Sequence, residues 1–141
     1  MTNDSTDAYA DFERRVDSIE GGYEFLLAYA AQGRHTDRGA APERNVRNYL
    51  ERMEEALDGF GAVAAACAAQ RHAPAADCAA FLDAVARDAE VAQGAIRLVL
   101  AQADISSQLV DNLNASIHLR ALLTDVFIVD EAFKPRSGER S

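Results

Sequence analysis

The stretch that decides the fold is residues 9–30, which read YADFERRVDSIEGGYEFLLAYA. Its larger apolar residues recur at alternating steps of three and four, which is the spacing along one face of an α-helix. The members of this apolar seam are Tyr9, Phe12, Val16, Ile19, Tyr23, Leu26 and Ala30. The pattern predicts a first helix over residues 6–32 that packs against other helices and ends before Gly33.

Three later segments carry the same kind of seam and predict helices over residues 42–70, 77–103 and 106–133. Pro42 is expected to open the second helix, because the first-turn N–H that proline lacks has no partner within a helix anyway. Asp77 is a candidate N-cap of the third helix.

The last predicted helix contains Val126 to Val129, a β-branched and aromatic run that would suit a strand by propensity alone. Leu122, Val126 and Val129 nevertheless keep helical spacing, and a single strand without a partner is not stable, so the run is predicted to be helical.

Four long helices joined by short connections predict an all-α fold, an antiparallel up-down-up-down four-helix bundle. The chain is expected to form one domain with flexible tails at residues 1–5 and 134–141. A long helical hairpin that dimerises into a bundle is the structural alternative.

Gly21 and Gly22 lie inside the first predicted helix, where each glycine costs about 1 kcal/mol relative to alanine. They predict either a close approach of another helix or a kink, while a complete break of the helix is the alternative. Gly59, Gly61 and the following alanines make the second helix thin, which favours tight packing.

Composition narrows the possible partners. The 141 residues are 49% hydrophobic and 26% charged, as in ordinary globular domains. Lys and Arg number 14 against 23 Asp and Glu, for a formal net charge of −9. An acidic surface repels nucleic acids and anionic membranes, so neither is expected as a partner, even with a local arginine patch at Arg34, Arg38, Arg44 and Arg47.

Residues 1–7 lack the apolar core of a secretory signal, and the longest apolar stretch, residues 60–69, is about half of the roughly 20 residues that span a bilayer. These features predict a cytoplasmic protein, and the arginine- and alanine-rich composition is typical of bacterial coding. In a reducing compartment Cys67 and Cys78 are expected to be buried thiols. With His72 between them they match no zinc knuckle.

Two helices carry apolar residues away from their main seam: Phe25 and Tyr29 on the first, Leu123 and Phe127 on the fourth. A helix in an isolated four-helix bundle needs only one apolar stripe, the one that faces the core. The second stripes therefore predict a homodimer interface. The alternative is a wider core stripe with a few exposed apolar side chains.

Motifs for metal and haem chemistry are missing from the sequence. It contains no Glu-x-x-His for a di-iron site and no Cys-x-x-Cys-His for covalent haem. His118 and Met53 could in principle hold a haem axially, and with Tyr23 they are the candidate residues for a ligand in the core. No cofactor is expected.

Asp111, Asn114, His118 and Asp125 follow one another at steps of three, four and seven, which places them on one face of a continuous helix. Such a row could bind a divalent metal or present a phospho-accepting histidine. The alternative is a solvated polar face, which every surface helix has.

The sequence therefore favours a non-enzymatic interaction protein, an adaptor, assembly factor or regulator that acts as a homodimer and could also bind another protein. The alternative function is a binding module that holds a small apolar ligand, cofactor or metal in the bundle core. No catalytic motif supports an enzyme.

Overall fold

The computed structural model describes residues 8–134, and within this part the chain is all-helical, with no β-strand. The predicted all-α class is therefore confirmed. A short 3-10 helix, Pro42–Arg44, precedes the second α-helix. The six α-helices in order are α1 Ala8–Ala30, α2 Val46–Leu57, α3 Phe60–Gln70, α4 Ala75–Leu100, α5 Ser107–Ala115 and α6 Ile117–Phe133.

The predicted seams supply most of the core. Seam residues near the helix ends, such as Tyr9 and Ala30, are half-buried. Val126 and Val129 are buried within α6, so the prediction that this β-branched run is helical is confirmed. Buried seam residues include Phe12, Val16, Ile19, Leu26, Val46, Met53, Ala56, Phe60, Cys67, Val85, Ala89, Ala92, Ile96, Val99, Leu119 and Leu122.

The helix predicted over residues 42–70 is interrupted at Asp58 and Gly59. Asp58 has extended backbone angles, and Gly59 has a φ of +68°, a left-handed conformation that a side chain disfavours. Leu57 and Phe60, on either side of the break, are both buried. The apolar spacing therefore continues across the interruption and does not reveal it.

The helix predicted over residues 106–133 is divided at Ser116. The Ser116 N–H donates to the Leu113 carbonyl oxygen at 3.0 Å and ends α5. The Ser116 hydroxyl accepts from the His118 N–H at 3.2 Å and caps the start of α6. One serine thus terminates one helix and begins the next.

The starts of two helices also differ from the prediction. Pro42 opens the 3-10 turn, and Asn45 caps α2 by accepting a 2.9 Å hydrogen bond from the Arg47 N–H. The third predicted helix begins at Ala75, two residues earlier than expected, so residues 75–77 form its first turn. Asp77 is therefore not the N-cap but lies in the first turn, where its negative charge interacts favourably with the positive end of the helix dipole.

The ends of two helices come earlier than predicted. The first ends at Ala30 where residue 32 was expected, and the third at Leu100 where residue 103 was expected. The expected start at Thr6 and the tails at 1–5 and 135–141 lie outside the described residues.

Two glycines allow close contact between helices. α1 lies against α2, α3 and α5, and α4 lies against α2, α3 and α6. α1 runs without a break through Gly21, which has open space around it, and Gly22, where a Cβ would overlap the Met53 side chain of α2. A Cβ at Gly61 of α3 would likewise overlap Ala86 of α4. The close-packing interpretation therefore applies to Gly22.

Candidate interaction surface

Large apolar side chains that remain exposed in the described part of the chain are concentrated on α6 and α4, which pack against each other. The most exposed are Ile117 at 74% and Leu98 at 66%. Clustered apolar surface of this kind is typical of an interaction site. The full set is Ile117, Phe127 and Ile128 on α6, Val91 and Leu98 on α4, and Leu27 on α1.

The side of α6 that points away from the core carries a second row of residues at helical spacing, three of them apolar, one polar and one charged. Ala121 within it is half-buried and its other members are exposed. Ile117, Ala121, Thr124, Ile128 and Glu131 follow one another at steps of four, three, four and three, opposite the buried inner seam. With the flanking Arg120 and Phe127, these seven residues are the α6 outer face.

The α6 outer face is electrically balanced, whereas the chain as a whole is strongly acidic. Its charged side chains are Arg120 and Glu131, one of each sign, while the chain carries a formal net charge of −9. Glu131 makes an exposed ion pair with Lys134 at 3.1 Å, which contributes little to stability. This face therefore opposes the approach of another acidic surface less than the average surface does.

An open groove of about 440 Å³ lies between α1 and α6. Its apolar lining comes from Tyr23, Leu123 and Phe127, and its charged rim from Glu20, Glu24 and Arg120. The groove brings Tyr23, a predicted ligand residue, together with two residues predicted for a dimer interface. It borders the α6 outer face, because Arg120 and Phe127 belong to both.

The four predicted interface residues do not share one surface. Tyr29 is 1% exposed, and its hydroxyl donates to the Ile105 carbonyl oxygen at 2.6 Å. The Phe25 ring stacks on Tyr49 with centroids 4.0 Å apart. Tyr29 is thus buried within the chain and has no surface to offer to an interface, whereas Phe25 is half-buried and its place in an interface stays a prediction. Leu123 is 8% exposed, whereas Phe127 is 58% exposed.

The predicted core-ligand residues also lie apart. Met53 is completely buried against Gly22, and Tyr23 is half-buried in the groove between α1 and α6. His118 is exposed in the first turn of α6. The structure therefore does not bring His118 and Met53 to a common site in the core, because the α6 cap turns His118 toward solvent.

The predicted metal row is divided by the break at Ser116, so its members do not lie on one helix face. Asp111 is exposed on α5, and the Asn114 amide donates to the Leu26 carbonyl oxygen at 3.1 Å. Asp125 is buried on α6. Within residues 8–134 no group of three or more His, Cys, Asp or Glu side chains is placed to hold a metal ion.

A pair of carboxyl groups lies between α4 and α6. Asp125 is 7% exposed and lies beside Asp88 of α4. Burial, together with the hydrogen bond and charge of Asp88, raises the pKa of Asp125 to about 7. The Asp125 Oδ2 atom is buried without a hydrogen-bond partner. Near neutral pH Asp125 is therefore partly protonated, because its burial and the neighbouring Asp88 carboxylate both disfavour its charged form.

The buried thiol is not a nucleophile at neutral pH. Cys67 is completely buried, and burial, together with the negative charge of Asp130, raises the pKa of its thiol to about 11. Asp130 also accepts a 2.7 Å hydrogen bond from the Tyr9 hydroxyl. Burial and this carboxylate raise the pKa of Tyr9. Cys67 and Cys78 are both free, with Cys78 only half-buried.

Part of the predicted arginine patch is used inside the fold. Arg47 donates to Asp37 at 2.7 Å, to the carbonyl oxygen of Leu100 at the end of α4, and to those of Gln102 and Ala103 just after it. Burial acts to raise the pKa of Asp37, but hydrogen bonds from Arg47 and the Ile105 N–H outweigh it and lower that pKa. Periodicity gives no sign of these bonds, because Asp37 lies in a loop ten residues from Arg47 and follows no repeating pattern.

Comparison of the chain with protein-family models, curated protein sequences and solved structures finds no match. In the described part of the chain, no helix combines the length and apolar character that crossing a bilayer requires.

Proposed function

We propose that this protein is a non-enzymatic helical interaction protein, an adaptor, assembly factor or regulator that acts as a homodimer in the cytoplasm. Its proposed architecture is an antiparallel up-down bundle of four helical segments. Two segments are the single helices α1 and α4, and the other two are the consecutive pairs α2–α3 and α5–α6. The packing of α1 and α4 against the other helices supports this arrangement.

The α6 outer face is the observation that carries the proposal. Three large apolar side chains on one helix, Ile117, Phe127 and Ile128, are each more than half exposed. Val91 and Leu98 on α4, which packs against α6, are two further exposed apolar side chains. Helical faces with apolar residues at steps of three and four are the elements that proteins present to helical partners.

The chemistry of the described side chains supports a role other than catalysis. The Cys67 thiol is buried and protonated at neutral pH, so it cannot act as a thiolate nucleophile. Asp125, whose raised pKa would suit a general acid, lies between two packed helices with 7% exposure.

The test is the oligomeric state of the full chain, measured by native mass spectrometry and light scattering between about 1 and 100 μM. We expect a dimer. Because a buried charge at an interface is costly, Ile128→Glu should raise the dimer Kd by about 100-fold while leaving helical content by circular dichroism unchanged.

Leu27→Glu is the matched control, because Leu27 is a large side chain 48% exposed on α1. It should leave the dimer intact. A wild-type protein that stays monomeric over the whole concentration range would refute the proposed function.

The groove between α1 and α6 favours a second candidate, a binding module for a small apolar ligand. Tyr23, Leu123 and Phe127 supply an apolar lining of suitable size, although the groove is open to solvent rather than enclosed in the core. The same native mass spectra distinguish the two, since this candidate requires an additional bound mass that Tyr23→Ala removes.

A further inference from the structure

We propose that two copies of the chain pair through their α6 outer faces in antiparallel orientation, with Arg120 of each copy opposite Glu131 of the partner subunit. This inference rests on the proposed homodimer and specifies its geometry. The contact is isologous, so the same face serves in both copies and every contact occurs twice.

The spacing of the face fits a partner helix lying along it. Ile117, Ala121, Thr124, Ile128 and Glu131 form a seam at steps of four and three, the repeat at which two helices pack along their length. The seam covers about 21 Å at 1.5 Å per residue. Its two central residues, Ala121 and Thr124, are small and allow the helix axes to approach closely.

Charge selects the antiparallel orientation. In a parallel pair related by a twofold axis, each side chain lies beside its own copy, so Arg120 would face a second arginine and Glu131 a second glutamate. Reversing one helix places Arg120 opposite the partner's Glu131, and the symmetry produces the second such pair. In this register the axis passes between the levels of Asp125 and Val126, and Thr124 lies opposite the partner's Phe127.

The net charge of the molecule favours this face over the rest of its surface. Two copies with a formal charge of −9 each repel one another, and at physiological ionic strength this repulsion is screened over about 8 Å. The α6 outer face itself carries one positive and one negative side chain, with Glu20 and Glu24 beside Arg120 and Lys134 beside Glu131, so it repels a second copy less than the average surface does.

The experiment reverses the charges one at a time and then together. Arg120→Glu and Glu131→Arg should each raise the dimer Kd of the full chain by about tenfold or more at low salt, since each creates two like-charged contacts. The double variant R120E/E131R restores both pairs with reversed polarity, so its Kd should return to within about threefold of the wild type.

Arg14→Glu is the control, because Arg14 is an exposed arginine on α1 whose side chain is 70% accessible. It should change the Kd little. If Ile128→Glu abolishes the dimer while the single charge reversals do nothing, the proposed function stands and the antiparallel pairing is wrong. Failure of the double variant to recover also overturns the pairing, and a monomeric wild type overturns both.

Cysteine cross-linking reports the orientation directly. Phe127 lies near the proposed twofold axis, so Phe127→Cys should form a disulfide-linked dimer on mild oxidation. The fraction of linked dimer should exceed the fraction that the wild-type protein forms under the same conditions. Ile117 lies about nine residues from the axis, which separates its two copies by about 27 Å, and Ile117→Cys should not cross-link. Equal cross-linking of both variants would indicate a parallel pair and overturn the proposal.

Discussion

At Asp125 a carboxyl group is buried beside a second carboxyl group, Asp88, and its pKa rises from 3.8 to about 7. The folded state therefore binds this proton more tightly than the unfolded chain does. The stability that the proton contributes is complete below about pH 4 and is lost as the pH rises through about 7. Asp88 of α4 is the titratable group that raises this pKa, so the effect belongs to the contact between α4 and α6.

Asp125→Asn should stabilise the protein near pH 8 by an amount on the order of 2–4 kcal/mol, because the amide never acquires the charge that burial disfavours. Between about pH 4 and 7 the unfolding free energy of the wild type should fall relative to that of the variant. Urea unfolding at several pH values measures the difference. Asp83→Asn, at an exposed carboxyl on the same helix as Asp88, is the control, and parallel pH curves for the Asp125 variant and the wild type would contradict the expectation.

Individual site residues were predictable from the sequence only in part. Periodicity identified Leu123 and Phe127 as a second stripe, but it grouped them with Tyr29, which is buried in the core, and with Phe25, which is half-buried against Tyr49. Spacing along a helix says which residues share a face and not what lies against that face. The other residues of the α6 outer face follow the same spacing, but the sequence alone gives no measure of their exposure.

Among the elements, the sequence predicted four helical segments, and their seams were correct because core burial imposes the helical period on the chain. The break at Asp58 and Gly59 escaped because it preserves that period: Gly59 turns the chain through a left-handed conformation between two buried residues, Leu57 and Phe60.

The break at Ser116 shifts the period, since burial stops after Asn114 and resumes only at Leu119. It escaped because Ile117 follows Leu113 at a step of four, so the sequence shows an apolar row where the structure has an exposed side chain. Ser116, a good N-cap residue directly before an apolar run, was the local signal of this break.

Gly21 and Gly22 provide a test within one element, since both lie inside α1 and only Gly22 is in contact with another helix. Gly21→Ala should raise the unfolding free energy by about 0.5–1 kcal/mol, because alanine favours a helix and the site is open. Gly22→Ala should lower it by about 1–3 kcal/mol, because Met53 would have to move within a packed core. Thermal or urea unfolding of both variants measures these changes in unfolding free energy. Stabilisation by both substitutions would indicate that the Met53 side chain moves aside without loss of stability.

For the whole molecule, dimerisation should couple stability to concentration. A folded dimer that dissociates on unfolding is stabilised by mass action, so the Tm should rise by about 1–3 °C for each tenfold increase in protein concentration. Differential scanning calorimetry over two decades of concentration measures the shift. Ile128→Glu should show a Tm independent of concentration, and a wild type that behaves like this variant would argue against the dimer.

The contacts of Gly22 with Met53 and of Gly61 with Ala86 also have a consequence for the length of the helices. Each contact is possible at only one axial alignment of its two helices. A shift of one helix along the other by one residue would bring a side chain into the space that glycine leaves free. α1 with α2 and α3 with α4 are therefore locked against sliding. Inserting or deleting one residue inside α1 or α4 would misalign these contacts, whereas the loop between Ala30 and Pro42 can change length without moving either one.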